Sequence, residues 1–434
     1  MSSVLIKNGR VIDPANGIDA ERDVLVLEGR VAGVERIGTW QNDAAAAVVD
    51  ATGMVVAPGF VDVHVHLREP GQGYKETIRT GTSAAAAGGF TSVVMMPNTS
   101  PVNDAVETLA WMLAAERGAS VRVYAMPAAT KGSMGQELTD FTALHKAGAV
   151  GFTDDGKPVL HDDVMRAALV AAARAGVPVS QHAEDTRLTG GCSMNAGALA
   201  FRLGLRGMTV DAEANIVARD IHLLREIEHK EKLRPHLHVQ HVSTERAMQL
   251  IRAAKSEGLH VTCEVAPHHF TLNETAVGEY DTHAKMNPPL RVEADRQAMV
   301  AALLDGTVDC IATDHAPHAA HEKEIEFERA ANGITGLETS LGLALRVLHR
   351  EHGLSLLRVI ELMSANPARI ALPRGFGSLA VGAHGDITVF DPAAAWSFDV
   401  KASRSKSRNS PFDGAAMLGR VRATICAGRL VYEG

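Results

Sequence analysis

With 434 residues, 46% of them hydrophobic and 22% charged, the chain has ordinary globular composition and can bury a large core. A net charge of −8 and only 4% aromatic residues speak against nucleic-acid binding. There is no membrane-length apolar run and no signal-peptide stretch, and the scattered Cys192, Cys263, Cys310 and Cys426 read as reduced thiols of a cytoplasmic protein.

Residues 1–57 read as short strands. Val4-Leu5-Ile6 and Val11-Ile12 flank a turn signal at Asn8-Gly9, and the apolar runs 23–27 and 31–34 flank Glu28-Gly29-Arg30. The other end, residues 371–434, repeats this texture in runs 386–391, 421–425 and 428–432. The expectation is one small β-sandwich domain built from both ends.

Residues 58–370 change to repeated βα units. Apolar, β-branched runs fall at 60–66, 91–96, 121–126, 149–153, 177–182, 236–241, 259–264 and 309–313. Helical segments such as 76–87, 162–175, 212–228 and 245–257 lie between most of them. This alternation predicts an α/β fold, a (β/α)8 TIM-type barrel, although a doubly wound open sheet would alternate too.

The C-terminal ends of the runs are where barrel enzymes keep their chemistry. In the first, Val61-Asp62-Val63-His64-Val65-His66-Leu67-Arg68, alternation puts Asp62, His64, His66 and Arg68 on one strand face. Two imidazoles so spaced can reach one metal ion, or can be plain histidines on a wet edge. Other runs end in Pro97-Asn98-Thr99, Asp154-Asp155-Gly156, His182, His241 and Asp314-His315-Ala316-Pro317-His318. Imidazoles and carboxylates without thiolates suit Zn²⁺ or a related divalent ion in an open catalytic site. Two ions need an anionic bridge, for which Asp155 or Asp154 can serve; Asp-Asp-Gly is also ordinary turn chemistry. Asp314 has its own bland alternative, a helix N-cap.

The segments Pro58–Arg68, Met95-Met96-Pro97-Asn98-Thr99, Phe152-Thr153-Asp154-Asp155-Gly156 and Ala312-Thr313-Asp314-His315-Ala316-Pro317-His318 together closely resemble dihydroorotases. The resemblance is to the longer bacterial type I form within the amidohydrolase superfamily, over essentially the whole chain. It implies that His64, His66 and Asp314 bind one metal and His182 and His241 a second, with Asp155 as the bridge and Asp154 its runner-up. Hydantoinases and allantoinases use a carboxylated lysine there, and no lysine stands in Asp154-Asp155-Gly156. The implied cofactor is Zn²⁺, one or two ions per chain. The implied reaction is the reversible cyclisation of N-carbamoyl-L-aspartate to L-dihydroorotate by a metal-activated hydroxide, with Asp314 as general base and then acid. Implied substrate contacts are His66, Arg68, Asn98, Asn287, His318, Asn332 and Gly333. Asn332 departs from the family, which often has an aromatic residue before that glycine.

A homo-oligomer and an association with aspartate transcarbamoylase are further expectations from the resemblance; nucleic acid and membrane are not expected partners. The alternatives are a hydantoinase or allantoinase, and a non-catalytic subunit that scaffolds the transcarbamoylase. His161, His268, His269 and His315 are given no metal by the resemblance, and hydrogen bonding behind the ligands or surface placement is expected for them.

Overall fold

A computed structural model describes residues 3–434. Strands from both chain ends join one eight-stranded sheet. Val55–Pro58 is its hinge, parallel to Ser3–Asp13 on one side and antiparallel to Ile387–Ser397 on the other. Val4, Ile6, Val11, Val24, Val26, Val56, Ile387, Val389 and Ile425 pack into its own apolar cluster.

The two N-terminal turn signals fold differently. Glu28 (φ 51°) and Gly29 (φ 73°) close a hairpin between Ile18–Leu27 and Arg30–Glu35, as their left-handed backbone allows. Asn8-Gly9, expected as a turn, is a bulge inside the continuous strand Ser3–Asp13. Asn8 (φ 62°) is left-handed, and its N–H donates to the Asp23 carboxylate at 2.9 Å, so the extra residue is absorbed without reversing the chain.

The middle of the chain is α/β with parallel pairing. Phe60–Val65, Phe90–Met95 and Arg122–Ala125 form one parallel set; Val179–Gln181, Leu237–Val239, Val261–Val265 and Cys310–Ile311 form another. Phe60–Val65 and Phe90–Met95 are buried at every residue, the pattern of parallel strands covered on both faces. Run 149–153 forms no continuous strand among the described residues but bonds to both neighbours, through the parallel bridge of Phe152 to Val179 and through N–H bonds from Val150 to the Ala125 carbonyl and from Thr153 to the Pro127 carbonyl. Another bridge joins Val65 to His315.

Helices cover these strands, with boundaries set by caps. The Thr77 hydroxyl accepts from the Thr80 N–H to start Ile78–Ala87, and Thr244 caps Glu245–Ser256 in the same way. Gly176, left-handed at φ 75°, ends Asp162–Ala175. The longest helix, Asp211–Glu231, packs on Glu245–Ser256.

Candidate active site

The chemistry-bearing residues sit where strands give way to loops. Phe60–Val65 is bulged between Asp62 and Val65, which interrupts the simple alternation and re-aims the imidazoles that follow. Of nine non-glycine residues with positive φ among the described residues, three belong here: Arg68 at 63°, His241 at 29° and Asp314 at 48°. Left-handed backbone at bulky residues stores strain of about 1–3 kcal/mol each and persists only where the surroundings enforce it.

Four histidines converge on Asp155. Its carboxylate lies 3.3 Å from His64 Nε2, 3.4 Å from His66 Nε2, 3.7 Å from His182 Nδ1 and 3.8 Å from His241 Nε2. Asp314 closes the other side, 3.1 Å from His66 Nε2 and 3.5 Å from His64 Nε2. All six side chains are buried. Asp154 is turned away: its carboxylate accepts from the Thr130 N–H at 2.9 Å and from the Thr130 hydroxyl, a turn-stabilising role.

The donor set fits a divalent metal ion. Ligand atoms bonded at about 2.1 Å around a tetrahedral ion lie about 3.4 Å apart, close to the spacings within this cluster. His64 Nε2 and Asp155 Oδ1, aimed at each other's position, are buried without a hydrogen-bond partner, as expected of atoms with a ligand rather than a proton between them. Among the described residues three sets of atoms lie close enough to share an ion; two belong to this cluster, His64–His66–Asp314 and His64–Asp155–His241, and the third, His238–Glu264–Cys310, lies behind it. His182 joins the second from 2.9 Å away at His241. Burial pushes the Asp155 and Asp314 carboxyls up, but the His64 charge and neighbouring imidazole bonds hold both below the ordinary range. Burial opposes charge on His64, yet Asp155 and Glu264 hold its pKa well above the usual value. Protons and a divalent cation are alternative counter-charges in such a cluster.

A second layer, which sequence reasoning missed, fixes the imidazoles. Glu264 Oε1 lies 2.6 Å from His64 Nδ1 and accepts the His241 N–H at 3.1 Å; Oε2 lies 3.0 Å from His238 Nε2. Glu184 Oε2 accepts from His182 Nε2 at 2.9 Å and from the Asn287 amide at 2.7 Å. The Asn98 amide oxygen stands 2.8 Å from His66 Nδ1. The contacts at His64, His66 and His182 place a proton on the outward ring nitrogen and leave the inward one a free lone pair, while the bond to His241 comes from its backbone N–H. The only signal available in the sequence was that Glu264 closes a predicted strand run.

Beside the cluster lies a cavity of about 220 Å³. Asp155, His66, His182, His241 and Asp314 form its floor; Arg68, Asn98, Asn287, His318, Asn332 and Gly333 are its walls. His64 lies beneath, fully buried. Every site residue expected from the sequence is thus at the cavity or directly under it. Arg68 is buried, donates from Nε to the Pro317 carbonyl at 3.1 Å, and forms no ion pair among the described residues. Burial pushes its pKa down to about 10, so it stays charged. The His318 ring, 2.8 Å from the Asn332 carbonyl through Nε2, is pushed down to about 2 by burial and by the nearby Arg68, Lys75 and Lys323.

The histidines expected to carry no metal separate by environment. His161 is exposed. His315 is buried with Nε2 3.5 Å from Glu76 Oε2. His269 bonds the Pro288 carbonyl. His268 is buried on Pro267–Thr271, and burial pushes it down to about 4.

Comparison with known proteins adds to this geometry. The model of a family described as Dihydro-orotase-like matches residues 53–246. A curated protein of Syntrophotalea carbinolica named dihydroorotase is 49% identical over 432 residues, covering 99% of each chain. One of Geobacter sp. with the same name is 48% identical at the same coverage. Among solved structures, the L-hydantoinase (dihydropyrimidinase) from Arthrobacter aurescens superposes with a TM-score of 0.87 at 26% identity, over 100% of this chain and 96% of that one.

Proposed function

The chain belongs to the dihydroorotase family, metal-dependent cyclic amide hydrolases of pyrimidine biosynthesis, and on that premise we propose how its own residues interconvert N-carbamoyl-L-aspartate and L-dihydroorotate. The observation that carries the reading is the meeting of four imidazoles on Asp155 beside a buried, unpaired guanidinium.

The imidazole and carboxylate donors suit zinc, in a pair: His64, His66 and Asp314 would hold one ion, His182 and His241 the other, with Asp155 shared. When bound, such an ion supplies Lewis acidity, bringing the pKa of water to about 7 and polarising a carbonyl. In ring opening, Asp314 takes a proton from the attacking water and returns it to the departing ring nitrogen. In ring closure it takes a proton from the attacking carbamoyl nitrogen and gives it to the departing carboxylate oxygen, which leaves as water once a further proton is supplied by solvent. Arg68 binds the substrate carboxylate; a buried cation with no ion pair among the described residues is costly, and an incoming carboxylate relieves that cost. Asn98, His318 and Asn332–Gly333 complete that recess, and Asn287 reads the ring.

The hydantoinase alternative would put a lysine at the bridge, whereas Asp155 stands among the imidazoles here. Lys157, the nearest lysine in sequence to Asp155, is exposed. The parallel contacts running from Phe60–Val65 to the Val65–His315 bridge support a closed (β/α)8 barrel over residues 58–370, with 1–57 and 371–434 as the accompanying β-domain. Four free cysteines suit a reducing cytoplasm, and no helix among the described residues is long and apolar enough to cross a membrane. A homo-oligomer and association with aspartate transcarbamoylase belong to the same proposal.

The test is an absorbance assay of dihydroorotate opening and closing on metal-analysed protein, with hydantoin and allantoin as comparison substrates. Turnover of dihydroorotate, lost on chelation and restored by zinc, is expected. Preference for hydantoin or allantoin would overturn the reading.

A further inference from the structure

Residues 403–410, Ser-Arg-Ser-Lys-Ser-Arg-Asn-Ser, lie far from the site in sequence and carry no catalytic motif. In the fold they form a polar strap with strict alternation up to Asn409. Ser403, Ser405, Ser407 and Asn409 are buried, while Arg404, Lys406 and Arg408 are exposed. The inward side chains are anchored one by one. Ser405 donates to Glu76, Ser407 donates to the Lys75 carbonyl at 2.7 Å, and the Glu76 carboxylate accepts the Lys406 N–H at 3.1 Å.

Asn409 is the strap's innermost contact. Its amide nitrogen donates to the Ala316 carbonyl and to the Gly333 carbonyl, each at 3.0 Å, and its amide oxygen accepts the His318 N–H at 3.0 Å. The backbone adds a bond from the Thr335 N–H to the Asn409 carbonyl at 2.9 Å. One side chain, 2% exposed, thereby ties together the two loops that carry His318 and Gly333, which stand side by side in the cavity wall. Gly333 has φ 129°, and a Cβ there would stand 2.6 Å from the Ala316 Cβ, so the loops touch with no slack. The loops also bond directly, the Ala316 N–H donating to the Ile334 carbonyl at 2.8 Å; the Asn409 amide adds a clamp whose oxygen pairs the His318 N–H and whose nitrogen pairs the Ala316 carbonyl and shares the Gly333 carbonyl with Lys323.

We infer that Asn409 is a positioning residue for substrate affinity: by holding the His318 backbone against the Gly333 loop, it places the wall of the recess that takes the substrate carboxylate. The inference rests on the reading of those two residues as carboxylate contacts. Asn409 touches none of the cluster around Asp155, so its effect falls on KM and spares both metal content and kcat.

The experiment compares Asn409→Asp, which keeps the acceptor and removes both donors, with the smaller Asn409→Ser, and with His318→Ala as a marker of the recess. KM and kcat for dihydroorotate, zinc content, and thermal midpoint are measured on each holoenzyme. Expected is a rise in KM of about tenfold or more in both Asn409 variants, with kcat changed less than about threefold and zinc retained. An unchanged KM in a folded Asn409 variant, with a raised KM in His318→Ala, overturns the inference and leaves the proposed activity standing. An unchanged KM in all three places the carboxylate elsewhere and overturns both the recess assignment and the inference. Loss of zinc or a matching fall in kcat in the Asn409 variants makes Asn409 a general structural residue and also overturns it.

Discussion

His64 Nδ1 and Glu264 Oε1 lie 2.6 Å apart in a fully buried contact, beneath the point where His64 Nε2 faces Asp155. Glu264 holds the imidazole by its outer nitrogen, fixing both ring orientation and tautomer. Replacing Glu264 by Gln puts an amide in place of the carboxylate and lets the ring turn. The expected result is a loss of about 10–100-fold in metal affinity, the usual effect of removing a carboxylate behind a ligating histidine. Competition with a chromogenic chelator measures it; unchanged affinity would show that the contact only packs.

Arg68→Met retains the apolar stem and removes the guanidinium. The variant is expected to raise KM for dihydroorotate about 100-fold with little change in kcat, because a charge-assisted contact made in ground and transition state alike is lost. Steady-state kinetics decide it, and equal KM values would mean the carboxylate does not meet this residue.

Asp314→Asn tests the proton carrier. His64, His66 and Asp155 persist, so zinc is expected to stay bound, while kcat falls about 10²–10⁴-fold in both directions, the range for losing a general acid–base group. Metal analysis beside the turnover assay separates the two effects. Full activity would remove Asp314 from proton transfer.

Lys323 predicts a pH dependence of stability. Its ammonium donates to the Lys285, Ala331 and Gly333 carbonyls, and burial beside Lys285 pushes its pKa from 10.5 down to about 7. Between those values the unfolded chain binds more protons than the folded one. This group's contribution to stability therefore rises with pH from about 7 toward 10.5, and below about 7 its penalty is fully present. Denaturant midpoints measured across that window are expected to rise more steeply in the parent than in Lys323→Met, which has no proton to lose. Equal slopes would show the ammonium is not desolvated.

Much of the site was legible because its chemistry requires particular side chains at strand ends. His64, His66, Asp155, His182, His241 and Asp314 each close or follow an apolar run, and the parallel-strand pattern predicts that such ends share one mouth. The supports were not legible. Glu264 looks like any acid at the end of a run, Glu184 like a loop residue, and Asn409 like part of a polar linker.

The sequence by itself determined the βα alternation, the candidate liganding side chains and the family resemblance, because apolar periodicity and residue chemistry are local properties. Tertiary structure alone decided that Asn8-Gly9 bulges rather than turns, that Asp155 and not Asp154 faces the histidines, and that Asn409 reaches loops 76–93 residues away. Each of these depends on a partner distant in the chain, Asp23, Thr130 or the His318 and Gly333 backbones, and a hydrogen bond between distant residues leaves no periodic trace in either segment.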